Sequence, residues 1–135
     1  MKKSKGLILF IMFSLFVPCL SACSDNNVKN EPVTYEQISP DAAKEIMDTQ
    51  QDYVIIDART QEEFDQGHID GAILIPEYEI ADRAENELKD KNQLILVYCR
   101  SGRRSKIASE ALVQLGYTNV KEFGGIIDWP YETVK

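Results

Sequence analysis

The chain has 135 residues, 44% hydrophobic and 27% charged, with 22 acidic side chains against 15 basic ones and a formal net charge of −7. An acidic balance of that size argues against nucleic acid as a partner, because binding phosphate backbones needs a basic face. The length suits one domain with one core and leaves no room for a second.

Lys2, Lys3 and Lys5 precede an apolar run from Leu7 to Val17. That run is about half of the ~20 residues a membrane-crossing helix requires, so residues 1–22 are expected to be a cleaved signal peptide. The string Leu20-Ser21-Ala22-Cys23 resembles the lipobox of bacterial lipoproteins, which implies acylation of the Cys23 sulfur and an extracytoplasmic domain anchored to a bacterial membrane. Acyl chains contribute about 0.8 kcal/mol per buried methylene, and several together anchor stably. Without its first 22 residues the chain carries a formal charge of 12 − 22 = −10. Cys19 leaves with the signal and Cys23 becomes a thioether, so Cys99 is left as the only free thiol and no internal disulfide is expected. A lone thiol in an oxidising compartment is a liability unless its reactivity is used. One cysteine and one histidine also make a structural zinc site improbable.

Residues 23–33 are polar and aperiodic, a tether ahead of a domain spanning 34–135. Ser39-Pro40 supplies an N-cap and a proline for the first helical turn, with Ala42, Ala43, Ile46 and Met47 as its apolar side. Tyr53 to Ile56 is a short apolar strand, and Thr60 with Glu63 forms a capping box for a short helix. Ala72 to Ile75 predicts a strand stopped by Pro76, and Glu77 to Leu88 predicts a charged helix with Ile80, Ala84 and Leu88 inward. Leu94 to Tyr98 is apolar on both faces, as a central parallel strand should be. Ser105 to Leu115 predicts a helix ended by Gly116, Val120 to Phe123 a last strand, and Ile126 to Tyr131 a short closing helix. This alternation implies an α/β domain, a mostly parallel central sheet with helices on both faces.

Cys99 directly follows the central strand, at the carboxyl edge where open α/β sheets bind ligands. The segment Arg100-Ser101-Gly102-Arg103-Arg104 then leads into a helix. Amides at a helix start, the helix dipole and nearby cations lower a thiol from its usual pKa of about 8.5 and favour the nucleophilic thiolate. Gly102 lets the loop take a positive φ or admit a ligand to its backbone, and the three arginines imply an anionic substrate.

The segments Val54 to Arg59, Glu63-Phe64 through Gly71-Ala72, Cys99 to Ser105 and Gly124-Gly125 with Trp129 resemble the rhodanese family, over residues 34–131. The resemblance implies a single-domain sulfurtransferase that needs no metal or organic cofactor, and a monomer is expected. Its Cys99 would take a sulfane sulfur from thiosulfate or another small anionic donor, hold it as a persulfide and pass it to cyanide or a thiol. Arg100, Ser101, Gly102, Arg103 and Arg104 are the expected substrate-binding residues. His68, Asp57 and Arg59 are expected to brace turns and strand ends, and Trp129 to sit in the core or at its rim. Two alternatives stay open at this point: a cysteine-based phosphatase or arsenate reductase, and a non-catalytic docking domain at a membrane.

Overall fold

The structure, a computed structural model, describes residues 34–135; the expected signal peptide, the Cys23 lipidation site and the tether lie outside the described residues. Five strands form one sheet: β1 (Glu36–Gln37), β2 (Tyr53–Asp57), β3 (Ala72–Leu74), β4 (Leu94–Cys99) and β5 (Val120–Gly125). Every pairing is parallel and the spatial order is β1-β5-β4-β2-β3, so β4 is central, as its unbroken apolar run requires.

The helices are α1 (Pro40–Thr49), α2 (Gln61–Gln66), α3 (Ile80–Glu87) and α4 (Arg103–Gln114). The Ser39 hydroxyl caps α1, and the reciprocal Thr60–Glu63 box caps α2. Alternation along the strands divides the core in two. Ile56, Ile95 and Val97 pack under α3 and α4 with Ile80, Ala84, Ala108 and Leu112, while Ile55, Leu96 and Tyr98 meet Ala43 of α1 and Phe123 on the other face. Helices therefore cover both faces of the sheet.

Several boundaries differ from expectation. The segment predicted as one helix from Glu77 begins with a 3-10 turn, Glu77–Glu79, because Pro76 precedes it and no side chain caps it. The closing helix is only a 3-10 turn, Ile126–Asp128, ahead of Pro130. β1 is an unforeseen two-residue edge strand whose side chains are exposed. β5 continues through both glycines, and α4 starts at Arg103, two residues earlier than Ser105.

Candidate active site

β4 ends on Cys99 itself, whose side chain follows Ile95 and Val97 onto the face beneath α4 and is 0% exposed. The chain reverses through Arg100 and Ser101 to Gly102, which caps α4 at φ 95°, a left-handed conformation that only glycine adopts cheaply. That geometry turns the Gly102 N–H inward to donate to Cys99 Sγ at 3.1 Å. Burial is the largest influence on the thiol and opposes its ionisation. Hydrogen bonds from the Ser105 hydroxyl and from the amides of Ser105, Gly102 and Ser101 together outweigh burial and hold the thiol below its ordinary pKa.

The floor of this loop is the end of β5. Val97 is in register with Glu122 but Cys99 with Gly125, so β5 accommodates one extra residue, and Gly124 takes φ 92° there. A side chain on Gly125 would place its Cβ 2.2 Å from the Arg100 carbonyl oxygen, which shows how closely loop and floor approach. Glu122, on the same face as Val120, is 3% exposed. Its Oε1 accepts from Ser105 Oγ at 2.5 Å and from the Gly124 N–H at 2.9 Å. Glu122 does not stand out as a site residue in the sequence, and Ser105 does so only as the last residue of the cysteine-loop motif. The available signal was an acidic residue two positions after Val120 on a strand otherwise bound for the core.

The expected arginines separate. Arg100 and Arg103 are exposed, as is Ser101. Arg104 is half-buried and donates through both terminal nitrogens to Glu63, at 2.7 and 2.8 Å. Its hydrogen bonds, ahead of the smaller opposing effect of burial, hold the Glu63 carboxyl at about 2. The Glu63 hydrogen bonds, and to a smaller extent a charge on Cys99, favour the charged form of Arg104. A cleft of about 600 Å³ opens alongside, lined by Arg59, Glu63, Arg100, Ile127 and Trp129 among others. Among the described residues no group of three or more His, Cys, Asp or Glu side chains could hold a metal ion.

On the opposite face a buried network braces β4. Tyr98 Oη donates to Asp57 Oδ2 at 2.6 Å, and Arg59 grips both carboxylate oxygens while its Nη2 reaches the Gly67 carbonyl at 2.7 Å. His68 stacks on Phe64, its Nδ1 lies 3.0 Å from the Phe64 carbonyl, and its backbone pairs with Val134. Trp129 packs against Phe123 at 5.6 Å.

Residues 39–130 match the model of the rhodanese-like domain family. The chain belongs to that family. Thiosulfate sulfurtransferase PspE of Escherichia coli strain K12 is 42% identical over 80 residues, covering 59% of this chain and 77% of that protein. A sulfurtransferase of Allochromatium vinosum is 38% identical over 92 residues, 67% of this chain and 83% of its own length. Among solved structures, a rhodanese with anions from E. coli superposes with a TM-score of 0.58 at 41% identity, covering 62% of this chain and 98% of that one. A rhodanese-like domain protein from Staphylococcus aureus superposes at 0.60 with 31% identity, covering 72% and 93%. The single rhodanese-like fold is thus shared with proteins named for sulfur transfer, which supports that class of chemistry here.

Proposed function

We propose that this rhodanese-like protein is a sulfurtransferase in which Cys99 carries the transferred sulfur. The thiolate attacks the outer sulfur of thiosulfate or another sulfane donor; a bond forms between Cys99 Sγ and that sulfur, and sulfite leaves with the electron pair of the broken bond. Attack by cyanide or an acceptor thiolate on the outer sulfur then regenerates the Cys99 thiolate. Covalent transfer splits one step into two, and amides aimed at the sulfur stabilise negative charge without reorganising. The observation that carries this reading is the buried Cys99 Sγ with the Gly102 N–H at 3.1 Å, at the head of α4. The expected substrate contacts are the backbone of Ser101 and Gly102 and the charges of Arg100, Arg103 and Arg104.

Sulfur is favoured over phosphate by the loop itself. The cysteine-loop phosphatases place five residues between the Cys and an Arg that grips phosphoryl oxygens, whereas Arg104 comes one residue too early and is already gripped by Glu63. Intact mass after exposure to thiosulfate tests the assignment. One sulfur gained and then lost to cyanide is expected, with negligible hydrolysis of aryl phosphates. An unchanged mass, or robust phosphatase activity, overturns it.

The same reading places the domain outside the cytoplasm, tethered by lipid on Cys23, and is supported by the Leu20-Ser21-Ala22-Cys23 string after a short apolar run. Cys23→Ala should block acylation and alter both membrane fractionation and mobility. Unchanged behaviour would remove the anchor from the proposal.

A further inference from the structure

The cleft beside the cysteine loop is larger than sulfur transfer between thiosulfate and cyanide requires. Its volume of about 600 Å³ lies within the roughly 300–1,000 Å³ of pockets that hold organic ligands, far beyond what either small ion would fill. Ile127, 63% exposed, and Trp129 supply apolar wall, while Gln66 and Thr133 add polar groups. Arg100, the residue after the nucleophile, lines the same cleft and ties it to the loop, because its carbonyl accepts the Ile127 amide at 3.2 Å.

One lining side chain is fixed in place with a donor to spare. Arg59 follows β2 and is only 5% exposed. Its Nε and Nη2 are taken by Asp57, and Nη2 also donates to the Gly67 carbonyl at 2.7 Å. Among the described residues Nη1 has no partner, and it is not sealed from solvent. A guanidinium is planar and presents its donors as a rigid fork, so locking two nitrogens also aims the third. The surrounding charges favour an anion. Glu63 gives both oxygens to Arg104, and Asp57 is held by Arg59 and Tyr98. Arg100 is exposed and forms no ion pair among the described residues, so its charge is left without a counter-charge in the cleft.

We propose that Arg59 is a specificity-determining residue: its Nη1, together with Arg100, receives the carboxylate of an organic thiol that accepts sulfur from Cys99. This rests on the reading of Cys99 as the sulfur carrier and deepens it by naming the class of acceptor. The acceptor thiolate attacks the outer sulfur of the persulfide. The bond from that sulfur to Cys99 Sγ breaks, its electron pair stays on Sγ, and the acceptor leaves as a persulfide. The carboxylate takes no part in these bond changes. It holds the thiol in the cleft, with the acceptor's carbon frame against Ile127 and Trp129, and so turns an encounter into a positioned reaction.

The test compares the acetylated tripeptide Gly-Cys-Gly, carrying a free terminal carboxylate, with the same peptide amidated, both as acceptors with thiosulfate as donor and with rates expressed relative to cyanide. The amide should show a KM about tenfold higher, as expected for loss of one charge-assisted hydrogen bond partly screened by water. Arg59→Lys keeps a cation beside Asp57 but lacks the fork, and should bring the two KM values together. Equal KM values in the wild-type protein overturn the proposal. So does a wild-type ratio retained in Arg59→Lys, or a raised thiosulfate KM in that variant with the ratio untouched, which would seat the donor's sulfonate there instead. A binding measurement on the wild-type protein covers the case in which Arg59→Lys folds poorly. Trp129 is the only tryptophan and lines the cleft, so its fluorescence should respond to acetylated Gly-Ser-Gly, which cannot accept sulfur, at about tenfold lower concentration for the acid than for the amide. Equal affinity, or no response, overturns the proposal. Because that titration involves no sulfur transfer, its failure is distinct from failure of the mass experiment.

Discussion

The Tyr98 hydroxyl donates to Asp57 Oδ2 at 2.6 Å, tying the residue before the nucleophile to the end of the neighbouring strand β2. The Tyr98 hydroxyl oxygen accepts the Ile69 amide at 3.1 Å, and burial followed by the Asp57 charge pushes the phenol well above its ordinary pKa, so it remains a donor. Tyr98→Phe deprives a buried carboxylate and a buried amide of their partner. A loss of about 1–3 kcal/mol in urea unfolding is expected, with Cys99 alkylation changed much less, because Tyr98 points to the opposite face of the sheet. A stability equal to wild type would mean that water or a side-chain shift replaces the hydroxyl.

Cys99→Ser should remove sulfur transfer while leaving the thermal transition close to wild type. The hydroxyl fits the same space and can accept the Gly102 amide, but it is far less acidic and less nucleophilic. Turnover near wild type in a thiosulfate assay would transfer the role to another group.

Gly125→Ala tests the contact between floor and loop. Its Cβ would fall 2.2 Å from the Arg100 oxygen and 2.6 Å from Ser101 Cα, both backbone atoms, so the loop must move. A destabilisation of about 1–3 kcal/mol is expected. The thiol pKa should rise as the cradle opens, and the two effects are read from a melt and from the pH profile of alkylation.

The Glu63–Arg104 pair predicts a pH window. The folded carboxyl is held at about 2 against an ordinary 4.5, so its contribution is complete above about pH 4.5 and is lost as the pH falls toward 2. Wild type should exceed Glu63→Gln in stability by about 1 kcal/mol at neutral pH, allowing for solvent screening of a partly exposed pair. The difference should shrink to nothing near pH 2. A constant gap across that range would assign the effect to the capping box instead.

The layered α/β arrangement is legible in the sequence because its signals are local and agree with one another: an apolar β4, a capping box at Thr60, a proline at the start of α1. Cys99 is legible for the same reason, as the one cysteine among the described residues, at the end of the central strand. What stays hidden is set by contacts between distant segments. Nothing near Arg104 announces that Glu63, 41 positions away, takes both of its terminal nitrogens. Glu122 reads as an ordinary strand acid until the bulge at Gly124 and the approach of Ser105 give it a buried place. β1 has two exposed residues and no periodicity to detect.

The complete burial of Cys99 also decides what can touch it. A disulfide requires two sulfurs at about 2.05 Å with their β-carbons about 3.8 Å apart, and two copies of this domain cannot meet that geometry without prying their loops open. Crosslinking between copies is therefore sterically forbidden to the closed form. The fold thus guards this thiol against its own kind.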